Sequence, residues 1–379
     1  MKPILPGATI GILGGGQLGR MAAMAARALG YRVHVLDPDP NCACAPVVDK
    51  LITAPFEDPD GAVELAKGCD VVTLEIEKVS VEGLRRAAQV TPVRPSAEVL
   101  HVIQDKGRQK SWLKLAGFPV GPFALAQTGE EIVQACARFH NQAFVKRFEG
   151  GYDGRGQVTV RSEQDAKEAF GALGNAPCIV EQALELEAEI SVLVARRPSG
   201  ETAAYPPALN HHEHRILDIS QLPAPISREL ADEAVALCRK VTDALKVEGL
   251  LVVELFLLPG GKLVVNEMAP RPHNTFHATE VSCVTSQFEQ LIRAVCDLPL
   301  GTCTPMRPAA IVNLLGDIWL GRDTVPFDRV LEIPCTRLHL YGKGPARPGR
   351  KMGHLTAVGD TPEEALQRVR EAKRRLQER

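Results

Sequence analysis

Residues 250–274 read LLVVELFLLPGGKLVVNEMAPRPHN, two apolar runs on either side of a Pro-Gly-Gly-Lys turn. Leucine- and valine-rich runs joined in this way predict an antiparallel β-hairpin. Pairing centred on the two glycines places Glu254 opposite Glu267, and two carboxylates about 5 Å apart at Cβ repel unless a cation lies between them. Both glutamates interrupt apolar strands, which argues against a simple exposed edge. Because Mg²⁺ prefers oxygen ligands, we expect the pair to hold Mg²⁺ together with phosphate groups.

A second stretch, KRFEGGYDGRGQ at 146–157, joins a strand to a glycine-rich loop. The preceding AFVKR alternates apolar and cationic residues, which predicts a strand that fixes Lys146 at one face. The glycines let the loop turn its backbone N–H groups around an anion without Cβ clashes. A polar hairpin loop is the alternative, but Tyr152, Asp153 and Arg155 are too specialised for a spacer. We therefore expect a mobile phosphate-binding loop.

Length, charge and cysteine pattern limit the class of protein. A chain of 379 residues exceeds one ordinary domain, so two or three domains are expected. The net charge of −2 provides no global basic field for nucleic acid or an anionic membrane. We expect no signal peptide and no membrane span, since no apolar run is long enough. The ten cysteines are scattered and the Cys42–Cys44 pair has the wrong spacing for a zinc knuckle, which predicts reduced thiols in the cytosol.

The first hundred residues predict a Rossmann-like α/β domain. An apolar strand at 9–13 runs into the glycine turn 14–16 and a helical segment, and a second strand ends at Asp37. NAD binding is one interpretation of this pattern. A glycine turn at a helix N-terminus binds any phosphate, however, and Asp37 lies in an Asp-Pro-Asp-Pro turn where a structural role is at least as common. The third strand, CDVVTLEIE, is predicted to present Glu75 and Glu77 on one face.

Four other segments carry candidate ligands. Residues 96–117 predict one or two linker helices, whose Lys106 and Lys110 lie four apart, as on a solvated face. The strand CIVEQAL leads into an acidic crossover, which is able to offer backbone groups to an adenine and a carboxylate to a ribose. The NHHEHR cluster at 210–215 lacks the residues that would complete a zinc site, so we predict a polar loop near a nucleotide. A basic loop at 343–351 is either a solvated turn or a clamp for a substrate phosphate.

In this order, the motifs resemble those of the ATP-grasp superfamily and, more closely, the 5-(carboxyamino)imidazole ribonucleotide synthase family, the ATPase subunit of phosphoribosylaminoimidazole carboxylase. The resemblance covers nearly the whole chain through GGGQLGRM, GGYDGRGQ, NEMAPRPHNTFH, SQFEQLIRAVCDLPL and RPGRKMGH. It implies a mixed α/β and α+β fold of ATP-grasp architecture. The expected domains are a Rossmann-like pre-ATP-grasp domain with a parallel sheet at 1–97, linker helices with a lid module at 98–184, and a C-terminal antiparallel-sheet domain at 185–379.

The same resemblance implies a reaction. An ATP-dependent carbon–nitrogen ligase of this family carboxylates 5-aminoimidazole ribonucleotide with bicarbonate through carboxyphosphate, in de novo purine biosynthesis, and releases ADP and phosphate. ATP and Mg²⁺, with Mn²⁺ as an alternative, are the implied cofactors, and NAD and biotin are not expected. The implied protein is a cytoplasmic homodimer that binds neither nucleic acid nor membrane and passes its product to a mutase.

Site residues are implied by matching positions of this sequence to the family motifs. The ATP positions are Lys106, Lys146, Gly151, Tyr152, Asp153, Gly154, Arg155, Gly156, Gln157, Glu181, Gln182, Ala183, Leu184, Glu189, His212, Asn266 and Glu267. The magnesium ligands are Glu254 and Glu267. The catalytic positions are Tyr152, Asp153, Arg155, Arg271 and His273. The substrate positions are Gly15, Gln17, Leu18, Glu75, Asn274, Lys343, Arg350 and Lys351. The sequence departs from the family at His214, Arg215 and Asp218, where glycine and other polar residues are commoner.

The implied chemistry assigns roles within these sets and leaves alternatives. Arg271 is expected to hold bicarbonate, because a planar guanidinium matches a planar oxyanion. Either His273 or Asp153 manages the proton of the substrate amine, and the amine attacks either carboxyphosphate or CO₂. Rival functions are a formate-using ribonucleotide ligase, biotin carboxylase, a NAD-dependent oxidoreductase and a catalytically silent ligase fold.

Overall fold

The computed structural model describes residues 2–150 and 156–378. The predictions for Gly151, Tyr152, Asp153, Gly154 and Arg155 lie outside the described residues. Three sheets organise the rest of the chain: one parallel sheet followed by two antiparallel ones. This arrangement agrees with the mixed fold class expected from the sequence.

The N-terminal part is the expected parallel α/β domain. Its elements are β1 Thr9–Leu13, α1 Gln17–Ala28, β2 Arg32–Leu36, a 3₁₀ turn Ala45–Val47, β3 Lys50–Ile52, α2 Pro59–Lys67, β4 Val71–Leu74 and α3 Val81–Ala87. The strand order is β3–β2–β1–β4. The strand predicted at VTPV is reduced to a single parallel bridge between Val72 and Val93. Because β4 ends at Leu74, Glu75 and Glu77 lie beyond the strand rather than on one of its faces.

The glycine turn between β1 and α1 is filled by carboxylates of the chain itself. The N–H of Gly15 donates to Asp37 Oδ2 at 2.7 Å. The N–H groups of Gly16 and Gly19 donate to the two oxygens of Glu75 at 3.0 and 3.1 Å. In a dinucleotide-binding protein, amides at this position bind the pyrophosphate. Here Asp37 and Glu75 take that place, which supports the structural interpretation of Asp37.

Gly19 is required where α1 passes the turn, and replacing it with alanine is expected to destabilise the domain. A Cβ at this position would lie 2.4 Å from the backbone oxygen of Gly14, a contact that forces the helix to move. Such overpacking costs about 1–3 kcal/mol. Gly171, exposed in the last turn of the helix Glu163–Ala172, is the matched control, since a Cβ there meets nothing within 4 Å. We expect Gly171→Ala to raise the thermal unfolding midpoint and Gly19→Ala to lower it; equal midpoints would contradict the contact.

Two linker helices and a small module follow. The helices are α4 Ala97–Ile103 and α5 Lys106–Leu115, and the module consists of β5 Phe123–Ala126, α6 Gly129–Arg138, β6 Ala143–Arg147, β7 Gln157–Val160, α7 Glu163–Ala172 and β8 Cys178–Gln182. Its antiparallel strands have the order β5–β8–β6–β7, and α6 and α7 bury their apolar faces against them. The strand predicted to carry Lys146 is therefore present as β6, in the middle of the module.

The remaining chain is built on a large antiparallel sheet. Its elements are β9 Ala188–Arg196, β10 Thr202–Ala204, β11 Ala208–Glu213, β12 Ile216–Leu222, α8 Arg228–Ala244, β13 Gly249–Leu258, β14 Lys262–Ala269, a 3₁₀ turn Asn274–Phe276, α9 Thr279–Ser282, α10 Gln287–Val295, β15 Ala309–Leu315, a 3₁₀ turn Gly316–Ile318, α11 Phe327–Leu331, β16 Thr336–Leu340, β17 Lys351–Val358 and α12 Pro362–Gln377. The order is β14–β13–β9–β11–β12–β15–β17–β16, with β10 on β9. Within residues 2–150 and 156–378, no helix has both the length and the apolar character needed to cross a bilayer.

The predicted hairpin is confirmed as β13 and β14. The β-turn is closed by the N–H of Gly261, which donates to Leu258 O at 3.1 Å, so Pro259 and Gly260 are its central residues. Gly260 and Gly261 both have φ of +80°, a conformation that favours glycine. Glu254 is paired with Glu267 as predicted, but the turn is centred on Gly260 and not between the two glycines. Leu258 pairs with Lys262, and this register alone would set Glu254 against Asn266. A β-bulge beside Glu254 takes up the extra residue and brings the two carboxylates opposite each other.

The NHHEHR segment is mostly strand, so the polar loop predicted there is wrong. Most of it belongs to β11, which pairs with both β9 and β12. The buried Asn210 explains the difference, because its side chain accepts from Ser220 Oγ at 3.0 Å and donates to Ser191 Oγ at 3.1 Å. These bonds tie β11 to its neighbours on each side. Only His214 and Arg215, both with positive φ, form the turn.

Candidate active site

A cleft lined by charged side chains lies where α5, the β6–β8 strands and the β13–β14 hairpin meet. Lys106 Nζ lies 2.8 Å from Glu267 Oε1. Glu181, on β8, is held between two cations, with Lys110 Nζ at 2.8 Å from Oε1 and Lys146 Nζ at 2.5 Å from Oε2. Five charged groups from four elements thus form one continuous cluster.

Lys106 and Lys110 on α5 point into this cleft, so the prediction that they lie on a solvated face is wrong. The backbone N–H of Lys106 donates to Phe148 O at 2.9 Å, which anchors the start of the helix at the end of β6. Lys110 is buried and also donates to the carbonyl oxygens of Val265 and Asn266 at 3.3 and 2.8 Å. An (i, i+4) pair marks a shared face in the sequence, but the packing partner of that face is set only by the fold.

Charge balance gives the acidic residues different protonation behaviour. Burial raises the pKa of Glu254 to about 7, and repulsion by Glu267 adds to the effect. Burial would also raise the pKa of Glu267, but the positive charge of Lys106 outweighs the effect of burial, so this pKa is lowered. Burial would raise the pKa of Glu181 as well, but the charges of Lys146 and Lys110 together lower it to about 2. Glu254 is therefore the carboxylate of this cleft that lacks sufficient positive charge.

Two histidines complete the acidic end of the cleft. His212 Nδ1 lies 3.0 Å from Glu189 Oε2, and this contact raises the histidine pKa although burial opposes it. His273 Nε2 lies 3.4 Å from Glu254 Oε1. Burial and then the charge of Arg271 hold the pKa of His273 well below its ordinary value, so its imidazole is neutral. The pKa values of the two rings are therefore shifted in opposite directions.

The orientation of His273 is set by neighbours that sequence reasoning did not assign. Thr275 Oγ1 lies 2.9 Å from the other ring nitrogen, Nδ1. The side-chain amide of Gln287, on α10, accepts from the backbone N–H of His273 at 2.8 Å and donates to its carbonyl at 2.9 Å. Gln287 lies in the SQFEQ motif, which was the available signal, but nothing local indicated its partner.

A second group of polar residues lies between the hairpin end and the N-terminal domain. Arg271 Nε is 2.7 Å from Glu77 Oε1, an ion pair whose angle is not that of a hydrogen bond. Burial raises the pKa of Glu75, and the nearby charges of Arg271 and Lys343 oppose that rise. Lys343 Nζ also donates to Gln17 Oε1. The structure thus brings together residues from positions 17, 75, 271 and 343, whose substrate roles remain predictions.

Other predicted substrate positions have more restricted surroundings. Leu18 is 4% exposed and packs in the core, which leaves only its backbone for a ligand. Arg350 donates to Gly344 O, and to Pro345 O at 2.9 Å, so it closes its own loop. Lys351 is buried at the start of β17. Asn274 Oδ1 lies 3.1 Å from His277 Nε2.

Two backbone N–H groups of the crossover at the end of β8 already donate to carbonyl oxygens of the protein. The N–H of Gln182 donates to Pro122 O at 3.0 Å and that of Ala183 to Gln142 O at 2.8 Å. Leu184 packs over Gly121, where a Cβ would lie 3.0 Å from its side chain. At the other end of the predicted nucleotide positions, Gln157 is paired with Lys146, and Gly156 has φ of +70°.

Comparison with known proteins gives matches along most of the chain. The ribonucleotide synthetase preATP-grasp domain matches residues 7–104, the ATP-grasp domain 111–288 and the phosphoribosylaminoimidazole carboxylase C-terminal domain 309–368. The N5-carboxyaminoimidazole ribonucleotide synthase of Bacillus subtilis is 39% identical over 366 residues, 97% of this chain and 95% of the relative.

Solved structures give the same result. A crystal structure of the ADP complex of an N5-carboxyaminoimidazole ribonucleotide synthetase is 41% identical with a TM-score of 0.93, and the match covers 98% of each chain. The Aspergillus clavatus N5-carboxyaminoimidazole synthase in complex with ADP and 5-aminoimidazole ribonucleotide is 31% identical with a TM-score of 0.89, over 97% of this chain and 98% of that one.

Proposed function

The chain belongs to the N5-carboxyaminoimidazole ribonucleotide synthase family, and from that membership we propose that ATP and Mg²⁺ bind in the cleft between α5, β8 and the β13–β14 hairpin. The enzyme is an ATP-dependent ligase that carboxylates 5-aminoimidazole ribonucleotide in purine biosynthesis, as the sequence predicted. The observation that carries the site assignment is the opposition of Glu254 and Glu267 across the hairpin, next to the lysine cluster.

The donor set of the hairpin suits a hard divalent cation. Glu254 and Glu267 supply carboxylate oxygens, which Mg²⁺ prefers, and the raised pKa of Glu254 indicates too little positive charge beside it. When bound, the ion would neutralise phosphate oxygens of ATP. Mn²⁺ accepts the same ligands and is the alternative ion.

The residues of the cleft are suited to positioning and charge neutralisation. Bicarbonate is a poor electrophile, so its oxygen must attack the γ-phosphorus of ATP, which gives carboxyphosphate and ADP. Lys146 and Lys106 would neutralise the phosphates, and Arg271, largely buried beside Glu77, would hold the planar bicarbonate.

The second step transfers the carboxyl group to the substrate amine. The amine nitrogen attacks the carbon of carboxyphosphate, or of CO₂ released from it, and phosphate leaves. We propose that His273 takes the amine proton: its neutral imidazole has a lone pair to accept it, although its lowered pKa makes it a weak base, and Thr275 and Gln287 fix its orientation. Asp153 remains the alternative. Lys343, Arg350 and Lys351 would contact the ribonucleotide phosphate.

Metal binding is expected to depend on pH through Glu254. Its pKa of about 7 means that a proton must leave before the carboxylate binds an ion. Isothermal titration of Mg²⁺ into the ADP complex should show affinity that falls about tenfold per pH unit below 7 and is constant above it. The pKa of Glu254 in the folded protein is above its ordinary value of 4.5. Glu254 therefore stabilises the metal-free fold below pH 4.5, and this stabilisation is lost as the pH rises through 7.

Glu254→Gln is the control for this pH dependence. It has no proton to release, so its weaker Mg²⁺ affinity should not vary over the same range. A wild-type affinity that is equally flat would contradict the assignment of Glu254.

The proposed reaction is tested by the requirements for ADP release. We expect ADP to form only when 5-aminoimidazole ribonucleotide and bicarbonate are both present. ADP formed with formate in place of bicarbonate would favour the formate-using ligase, and ADP formed with biotin as acceptor would favour biotin carboxylase. No turnover with any of these, in a protein that binds ATP, would favour the silent ligase fold.

We also propose that the enzyme is a cytoplasmic homodimer whose product passes to a mutase. Family membership supports the dimer and the mutase. All ten cysteines are free thiols, which supports a reducing compartment. Sedimentation equilibrium of the purified chain tests the dimer.

A further inference from the structure

A cluster of two histidines and a glutamate lies outside the cleft, where α9 packs against the last two strands of the large sheet. His339 on β16 and His354 on β17 are paired across the strands, and Glu280 on α9 faces both rings. The NHHEHR segment, where the sequence first suggested zinc, is on other strands. Strand pairing brings the two histidines together, and the packing of α9 against these strands adds Glu280.

The distances within the cluster do not fit hydrogen bonds. Glu280 Oε2 lies 3.7 Å from His339 Nδ1 and 3.8 Å from His354 Nε2, and all three ligand atoms lie within 4.8 Å of one another. Hydrogen bonds between such groups are about 2.7–3.2 Å long. Ligand atoms at the 2.0–2.2 Å bond lengths of a tetrahedral zinc ion are about 3.4 Å apart, and both nitrogen–oxygen separations are slightly longer than this.

We propose that Glu280, His339 and His354 form a binding site for a first-row divalent transition-metal ion, with Zn²⁺ the best match to two imidazole nitrogens and one carboxylate oxygen. The site is separate from the Glu254–Glu267 pair. Three protein ligands leave a fourth position for water. The side chains of Glu280 and His339 are 18% and 11% exposed, which provides access for the ion.

The protonation state of the cluster suits a metal. Burial lowers the pKa of His339 to about 4 and places that of His354 well below its ordinary value, so both rings are neutral, the form that binds metals. Burial raises the pKa of Glu280 to about 7, and the charge of Arg337 offsets this only in part. The positive charge beside this carboxyl group is therefore too small to offset its burial.

A buried tyrosine fixes the orientation of one of the ligands. Tyr341 Oη lies 2.8 Å from His354 Nδ1 and is fully buried. Coordination through Nε2 requires the ring proton on Nδ1, where it donates to this hydroxyl. Metal-binding histidines generally donate their other N–H to such a partner, and loss of the partner typically weakens binding about 10- to 100-fold.

A bound ion would link two parts of the substrate region. Glu280 follows the Arg271–Asn274 segment, and the two histidines lie on the strands that flank the basic loop 343–351. A metal at this position would hold α9 against β16 and β17. Binding itself does not depend on the proposed roles of the cleft residues.

Cobalt titration of the full chain tests the site, with saturating Mg²⁺ and ADP present to occupy the cleft. Four-coordinate Co²⁺ bound to nitrogen and oxygen gives visible absorption bands, and competition with Zn²⁺ then measures zinc affinity. We expect one ion per chain. Glu280→Gln and His339→Gln should each weaken binding more than about 100-fold, and Tyr341→Phe about 10- to 100-fold.

His140→Asn is the matched control, because His140 is an exposed histidine with φ of +53°, a conformation that asparagine adopts readily. It should leave the titration unchanged. Circular dichroism in the presence of a chelator checks that the variants fold. If Glu280→Gln does not fold, His339→Gln, at a partly exposed position, takes its place in the test. Absence of Co²⁺ bands in the wild type, or equal affinity in a folded Glu280→Gln or His339→Gln variant, would overturn the proposal.

Discussion

Replacing Glu267 with glutamine is expected to reduce ATP turnover roughly a thousandfold while the protein keeps its fold. The substitution preserves the volume of the side chain and its place opposite Glu254. It removes one of two charged oxygen ligands for Mg²⁺ and the partner of Lys106, 2.8 Å away. Since phosphoryl transfer depends mostly on positioning and on neutralising charge, the loss falls on kcat.

Two measurements separate this effect from damage to the fold. The variant should still unfold in one cooperative thermal transition without metal, at a midpoint lowered by the loss of the Lys106 ion pair, and ADP should still bind in the absence of Mg²⁺. Glu233→Gln, an exposed glutamate on α8, is the matched control and should have full activity. Unchanged turnover in Glu267→Gln would refute the metal assignment.

Glu181→Gln should have the largest effect on stability, about 3 kcal/mol, because it leaves a buried lysine without its anion. Lys110 is 7% exposed in its side chain, and Glu181 is its partner at 2.8 Å. Hydrogen exchange of the α5 and β8 amides measures the free energy of local opening, which suits a chain of several domains. We expect faster exchange in both elements.

A double-mutant cycle provides the control. Lys110→Met alone leaves Glu181 paired with Lys146 and should cost less. Adding Lys110→Met to Glu181→Gln should recover part of the lost stability. The folded pKa of Glu181, about 2, is below its ordinary 4.5, so its contribution is present above pH 4.5 and is lost as pH falls through 2. A Glu181→Gln protein whose exchange equals the wild type would contradict this assignment.

Motifs with strong local patterns were the predictable part of the molecule. The two glycines of the β13–β14 turn adopt a left-handed backbone that glycine tolerates best, so the hairpin was predictable from the sequence. The parallel sheet of the first domain followed from its strand–glycine–helix pattern. The glutamate pairing was also expected, although the bulge that produces it has no local signal.

Residues that depend on distant partners were not predictable from local pattern. Lys110 looks like a surface lysine until α5 is placed against β8 and β14. Asn210 looks like a loop residue until Ser191 and Ser220 are placed beside it. In both cases burial of a polar group is stable only because its partners come from other strands, and the single sequence contains no information about that proximity.

The self-filled glycine turn has a practical consequence for finding oxidoreductases in genomes. A search that scores only the glycine spacing would retain this chain as a cofactor-dependent dehydrogenase. Asking in addition whether acidic residues at the ends of neighbouring strands already accept from the turn amides would remove it, because Asp37 and Glu75 do so here. Such a filter needs coordinates and no homologues, and could be applied to any chain whose turn has the same spacing.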